Sequence, residues 1–248
     1  MSLLLNGVLI LGWGCSLALA LGTTITHDSL CLVLVIVLLR TQMQTGLFIV
    51  AHDAMHGLVC PERIKTNHAI GALALMAYAG VSYARCQRQH QRHHQHPGTA
   101  LDPDFPADQR RNLLRWYVEF LLGYLSARQM LRLLGCWGFL VCLTATATSL
   151  SWRGAALRVL LVGTIPLVLS SLQLFVVGTY LPHRGQCVPE QNAHPISLNL
   201  PPWLSLLACF HFGYHREHHE NPGLNWFQLP SARAMNLNLV LAMQQQFR

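Results

Sequence analysis

The sequence predicts an all-α integral membrane protein. Four membrane-spanning helices, with re-entrant or interfacial helices between them, carry a histidine-box metal site on their cytoplasmic side. Three observations lead there. The 248 residues are 52% hydrophobic and 11% charged, against roughly 25% charged in an average soluble domain. Four largely apolar runs reach the length of about 20 residues that a helix needs to cross a bilayer. Three histidine clusters, HDAMH at 52–56, HQRHH at 90–94 and HREHH at 215–219, each pair histidines at i and i+4. On a helix those offsets put the imidazoles on one face.

The elements follow in order. Residues 3–22 carry no charge. They lack the positive flank and small-residue cleavage site of a signal peptide, so they read as a retained span. Residues 30–51 form a second span, apolar except for Arg40, Gln42 and Gln44. An arginine there costs about 2.5–3.5 kcal/mol on insertion scales unless paired or hydrated. Arg40 lies one turn from Gln44, in line with the box face, where it borders a polar pocket or snorkels. Residues 66–84 are rich in Gly and Ala and 201–212 are too short to span, so both read as re-entrant or interfacial. The Pro, Gly and Asp of 96–105 predict an ordered loop. Residues 112–126 mix Arg115 and Glu119 with Leu, Trp and Phe, as an interfacial helix does. Spans three and four are predicted at 133–152 and 159–182, the latter kinked by Pro166. The chain reads as one domain over 1–248, without internal repeats.

Charge sets the topology. With the amino terminus inside, the outer loops 23–28 and 153–158 hold only Arg153 and Arg158 of the seventeen basic residues, and the inner side holds fourteen. The same assignment puts thirteen of the fourteen histidines inside, leaving His27 outside. The basic residues are scattered, with no basic-aromatic strip, so the net charge of +7 does not indicate nucleic acid. The eight cysteines form no CxxC pair, and several lie within apolar runs, so neither a disulfide framework nor a structural zinc site is expected.

The histidines are therefore the chemistry. His52 and His56 continue the second span. His90, His93 and His94 follow the 66–84 segment, and His215, His218 and His219 follow 201–212. His183, at the inner end of the fourth span, is a ninth candidate. Eight or nine imidazoles exceed one four-coordinate zinc. Shared between two ions they leave open positions, which suits redox catalysis, although imidazole serves iron, zinc, copper and nickel alike. His27, His68, His96 and His194 lie apart from this pattern. His211 makes a further i,i+4 pair with His215 but reads as core or support. Metal-bound imidazoles usually donate their second N–H to a carboxylate or carbonyl. Asp53 and Glu217, inside the boxes, and Asp104, in the 96–105 loop, are the candidates for such support; Asp102 and Glu220 lie nearby. Arg92, between box histidines, should point away from a metal.

HDAMHG, RHHQHPGTALDPDF, GTYLPHR and HFGYHREHHENP with the following WFQLP together resemble the bacterial and cyanobacterial beta-carotene ketolases, carotenoid 4,4'-oxygenases of the membrane fatty-acid desaturase and hydroxylase superfamily. The resemblance covers residues 40–230. It implies a desaturase-like fold, two non-haem irons, O2 as co-substrate, and oxidation at C4 of a beta-ionone ring by double hydroxylation and loss of water. Carried over by position, the ligands are His52, His56, His90, His93, His94, His215, His218 and His219, with His183 as the ninth. The substrate is then a carotenoid taken from the bilayer. No GxGxxG or CxxCH motif occurs, so electrons come from a separate donor such as ferredoxin with its reductase. Arg88, Arg92, Arg110 and Arg111 could steer an acidic donor, although ordinary positive-inside charge is the better account of them. Another histidine-box oxidase (a carotenoid hydroxylase, fatty-acid desaturase or alkane hydroxylase) shares the box spacing. A metal transporter would need ligands part-way across the membrane.

Overall fold

A computed structural model describes residues 1–23, 30–105, 112–184 and 195–246. It is helical, and no strand occurs among the described residues. Four helices are long and apolar enough to cross a membrane: α1 (Ser2–Gly22), α2 (Leu30–Met55), α6 (Ala127–Ala147) and α7 (Trp152–His183). Between α2 and α6 lie α3 (Ile64–Ala79), α4 (Tyr83–Gln95) and α5 (Leu113–Tyr124). After α7 come α8 (Pro202–Cys209), α9 (His215–Glu220), a short 3₁₀ turn (Trp226–Gln228) and α10 (Leu229–Gln246).

The centre of the molecule is α2. Leu47, Ile49, Val50, Ala51 and Ala54 are fully buried there, while many leucines of α1 and α6 face outward. Outward-facing leucine is the pattern of helices solvated by lipid chains, where the helix satisfies its own backbone polar groups. Gln44 and Thr45 of α2 are both answered. Gln44 accepts from Trp13 Nε1 at 2.7 Å and donates to the Tyr78 carbonyl. Thr45 bonds Ser170 Oγ at 2.8 Å and Gln173 Oε1 at 2.6 Å.

Arg40 is explained by Pro166. Proline has no N–H, so the carbonyl four residues earlier loses its helical partner. That carbonyl belongs to Val162, and Arg40 Nε donates to it at 3.2 Å. Arg40 Nη1 donates to the Trp13 carbonyl and Ser16 Oγ, both at 2.8 Å. The expected kink takes the form of π-helical turns at Leu160–Thr164, just before Pro166, and at Leu174–Tyr180.

One boundary differs from expectation. The third span was expected at 133–152, but α6 starts at Ala127 and ends at Ala147. Ser151 Oγ caps the next helix by accepting from Gly154 N at 3.2 Å. The turn therefore lies at 148–151, and residues 153–158, expected as a loop, form the first turns of α7. Apolar run length had no way to register a serine cap within ATSLSW. The expected loop 23–28 lies outside the described residues, Thr23 apart.

The shorter elements turn the chain toward one end of the bundle. Helix α3 stops at Gly80, which has φ +64, a left-handed conformation that glycine adopts without strain. The chain then bends by 101° into α4. This supports the re-entrant or interfacial reading of 66–84 over a plain crossing. Asn112 caps α5 by accepting from Arg115 N at 2.9 Å. Helix α8 is ended by Phe210 and His211, both at positive φ (46° and 64°). Two such non-glycine residues cost about 1–3 kcal/mol each. They reverse the chain so that α9 returns beneath α2.

Candidate metal centre

All nine box and near-box histidines meet at one end of the bundle, in two groups. His52, His56, His90, His94 and His218 form the first, and His93, His183, His215 and His219 the second; within each group one ring nitrogen per residue lies within 4.8 Å of all the others. The division runs across the boxes. On α4, His90 and His94 share one face and join the first group, while His93 points to the second. On α9 the arrangement inverts: His215 and His219 join the second group and His218 the first. Two boxes of the form HxxHH thus each give a pair to one group and a single imidazole to the other.

The spacing tests whether a metal fits. In the first group, Nε2 atoms stand 3.2 Å apart for His52 and His218, 2.8 Å for His56 and His90, 3.1 Å for His90 and His94, and 2.9 Å for His94 and His218. In the second, His93 lies 3.4 Å from His215 and 3.0 Å from His219, and His215 lies 3.1 Å from His219. Imidazoles around an ion at roughly 2.0–2.1 Å, at octahedral to tetrahedral angles, have nitrogens roughly 2.9–3.4 Å apart. Convergent Nε2 atoms at that spacing form a ligand set. Among the described residues, neither group includes a thiolate or a carboxylate.

Protonation agrees with this. Burial holds His215 and His218 well below the usual imidazole range, and neighbouring imidazoles lower them further. Burial lowers His56 to about 4, and burial followed by His56 and His93 lowers His94 to about 3. The neutral imidazole is the form that binds a metal. His93 moves the other way. Burial alone would lower it, but the hydrogen bond and charge of Asp102 outweigh that and raise it.

Local structure holds these side chains. Asn67 pins the turn after α2: its Oδ1 accepts from Val59 N at 3.0 Å and Cys60 N at 3.2 Å, and its Nδ2 donates to the Ala54 carbonyl at 2.7 Å. That turn presents His56. Asp102 lies 2.9 Å from His93 Nδ1 through both oxygens and also accepts from Gly98 N at 2.8 Å and Asp104 N at 2.9 Å. One carboxylate therefore organises the 96–105 loop and fixes the His93 ring. Gly178, on α7, has no room for a side chain, because a Cβ would lie 2.6 Å from Phe212 Cδ1. Phe212 stands edge-on to His52, with centroids 4.5 Å apart.

Of the three carboxylates expected to support the histidines, only one reaches the group. Asp104 is half-buried beside His93 and Asp102 and accepts from Tyr124 OH at 2.8 Å; desolvation of its carboxyl raises its pKa. Asp53 is buried with an oxygen 3.8 Å from His52 Nδ1, beyond hydrogen-bond reach. Glu217 is corrected. It is fully buried but accepts from Ser197, from Arg233 Nη1 at 3.1 Å and from Asn236 at 3.4 Å. It ties α9 to α10 rather than orienting an imidazole, because at its helix position the side chain faces away from both groups. The residue that does orient one, Asp102, was visible in LDPDF, but its nine-residue return to His93 follows from loop geometry that spacing does not encode.

The remaining histidines sit apart. His68 Nδ1 lies 2.9 Å from Tyr83 OH. His211 is buried and stacks on Tyr214 at 5.7 Å and Trp226 at 6.2 Å, outside both groups. His96 caps the end of α4. His27 and His194 lie outside the described residues, as do Arg110 and Arg111. Arg88 and Arg92 are exposed on α4.

A small cavity of about 40 Å³ opens beside the histidines, between Phe48, Met55, Leu174, Phe212 and the Asp104–Tyr124 pair. The site offers two nitrogen-rich ion positions next to an apolar slot.

The fatty acid desaturase family profile matches residues 29–245. Among curated proteins, the chain is 42% identical over 197 residues to the beta-carotene ketolase of Paracoccus sp. (strain PC1), covering 78% of this chain and 76% of that one. It is 33% identical over 201 residues to the beta-carotene 4-ketolase of Protosiphon botryoides (78% and 49%), and 34% identical over 206 residues to the zeaxanthin 4-ketolase of Chlamydomonas reinhardtii (81% and 44%).

Proposed function

The chain belongs to the fatty acid desaturase family, and on that premise we propose that it is a beta-carotene ketolase. It introduces a keto group at C4, and then C4', of beta-ionone rings, using two irons and O2. The observation that carries this reading is the pair of histidine groups beside an apolar slot, in a chain similar to named ketolases over three quarters of its length.

His52, His56, His90, His94 and His218 would hold one iron and His93, His183, His215 and His219 the other. Bound there, the irons supply the activation of O2 for C–H hydroxylation. Each of two hydroxylations at C4 consumes one O2, two electrons and two protons and releases one water; the geminal diol then loses water to leave the ketone. Asp102 holds His93 with Nδ1–H toward the carboxylate and leaves Nε2 free for the ion. Phe48, Leu174 and Phe212 form the apolar wall that receives the ring and excludes water. Asp104 and Tyr124 supply the polar atoms of that wall.

The apolar helices suit a protein that meets a bilayer-dissolved substrate. The charge asymmetry of the loops supports a cytoplasmic site, where an external donor such as ferredoxin with its reductase delivers electrons past exposed Arg88 and Arg92. Expression in a beta-carotene-producing bacterium tests the reading: echinenone and canthaxanthin should accumulate. Accumulation of only 3-hydroxylated carotenoids, or unchanged beta-carotene with protein present in the membrane, would overturn it.

A further inference from the structure

A second cavity, of about 500 Å³, lies within the apolar layer away from the histidines. Its walls are mostly aliphatic and aromatic, including Trp13, Ala77, Leu134, Trp137 and Gly163. It is stacked on the metal slot along shared helix faces. On α2, Arg40 and Gln44 line the chamber, and Phe48 and His52, the next two positions at the same offset, line the slot. On α7, Leu167 lines the chamber and Leu174, two turns on, lines the slot. Phe48, on the slot wall, meets Tyr78, on the chamber wall, edge-on with centroids 5.8 Å apart. From His52 to Arg40 the helical rise is roughly 18 Å.

Arg40 makes this chamber more than a packing void. The side chain is 1% exposed. Its Nε and Nη1 are used by Val162, Trp13 and Ser16, but Nη2 donates to no described residue, and no described carboxylate pairs with the charge. A guanidinium has five N–H donors, so two remain at the chamber wall. A cation in a membrane layer without a carboxylate is costly and marks a functional position. The slot beside the histidines, at about 40 Å³, admits at most a reacting ring edge. Most of a long polyene must lie elsewhere, and the chamber is the apolar space in line with it.

Building on the ketolase reading, we propose that the chamber binds the part of the rod-shaped polyene remote from the reacting ring, and that Arg40 donates a hydrogen bond to an oxygen carried on that part, a ketone or hydroxyl. After one ring is oxidised and the molecule enters in reverse, its first ketone is on the remote part. Arg40 then favours the second oxidation over release of the monoketone.

The test uses the iron-loaded protein with three probes: beta-carotene, the monoketone echinenone, and beta-ionone, which carries the same ring on a short chain. Gly163→Phe is chosen to plug the chamber, since a Cβ there meets nothing closer than Val159 Cγ1 at 3.9 Å and Gly163 lines the chamber wall. It should lower kcat/KM for beta-carotene about tenfold and spare beta-ionone, and purified protein should retain less beta-carotene by absorption. Arg40→Gln should lower kcat/KM for echinenone about tenfold relative to beta-carotene, the factor carried by one hydrogen bond from a charged donor. Arg40→Lys should do the same, because three ammonium donors are consumed by Val162, Trp13 and Ser16. Unchanged beta-carotene kinetics and retention in Gly163→Phe, or equal loss on long and short probes, overturns the chamber; an unchanged echinenone ratio in both Arg40 variants overturns its role. A wild-type protein that retains beta-carotene but oxidises no probe refutes the ketolase reading instead, and retention by Gly163→Phe still decides the chamber.

Discussion

Replacing Asp102 by Asn isolates the one carboxylate that orients an imidazole. The residue is 3% exposed, and its carboxylate satisfies three donors: His93 Nδ1 at 2.9 Å, Gly98 N at 2.8 Å and Asp104 N at 2.9 Å. An amide has a single oxygen, so at least one of these donors would face an NH2 group. His93 then loses its anionic partner, its ring is no longer held, and Nε2 becomes a weaker ligand. Loss of such outer support typically costs 10–100-fold in metal affinity, or about 1.4–2.7 kcal/mol. Because His93 belongs to the four-histidine group, the weakened ion is the one with fewer ligands. Chelator competition on purified protein should show one iron released at about 10–100-fold lower chelator activity and the other shifted by a smaller factor, through the helices that the two positions share. Ketone yield should fall in parallel, at unchanged protein level. Asp53→Asn is the control, since its carboxylate stops 3.8 Å short of His52. Release of both irons at the wild-type chelator activity from Asp102→Asn, or an equal effect from Asp53→Asn, would refute the reasoning.

Three further outcomes follow from the geometry. His183→Ala should abolish ketone and leave about one iron per chain, whereas His68→Ala, which loses only its bond to Tyr83, should cost about 1 kcal/mol in stability and keep activity; iron content and pigment analysis compare them. Gly178→Ala drives a Cβ to 2.6 Å from Phe212, which should destabilise by about 1–3 kcal/mol, push Phe212 toward His52 and lower ketone yield, so a variant with wild-type melting temperature and yield contradicts the packing. In chelated, metal-free protein, His56 and His211 are lowered to about 4 by burial, below their ordinary value near 6.5. The unfolded chain then binds more protons across that window, so stability should fall as pH drops from about 6.5 to 4; a flat unfolding profile over that range counts against neutral buried imidazoles.

The long helices were legible because span length and lipid-facing leucine are properties of local sequence. Helices α1 and α2 fall where the apolar runs predict, and the HDAMH box continues α2 as far as Met55, with His56 in the turn that follows. The α6–α7 boundary was not legible, because Ser and Thr interrupt neither an apolar run nor a helix until one of them caps. Spacing put His90 and His94 on one face, but it carries no record of which helix that face meets. The five-and-four division depends on the 101° bend after Gly80 and on the reversal at Phe210 and His211. Arg40 looked anomalous in sequence because its partner is a carbonyl freed by a proline 126 residues later.

The crosswise sharing of the boxes has a thermodynamic consequence. Helices α4 and α9 each place imidazoles in both groups, so neither ion position can be ordered without ordering part of the other. The first ion to bind bears the entropic cost of fixing both helices, and the second finds its nitrogens already convergent. Affinity at the two positions is linked by a coupling that acts equally in both directions. In the wild-type chain this coupling favours filling both positions together over filling one alone.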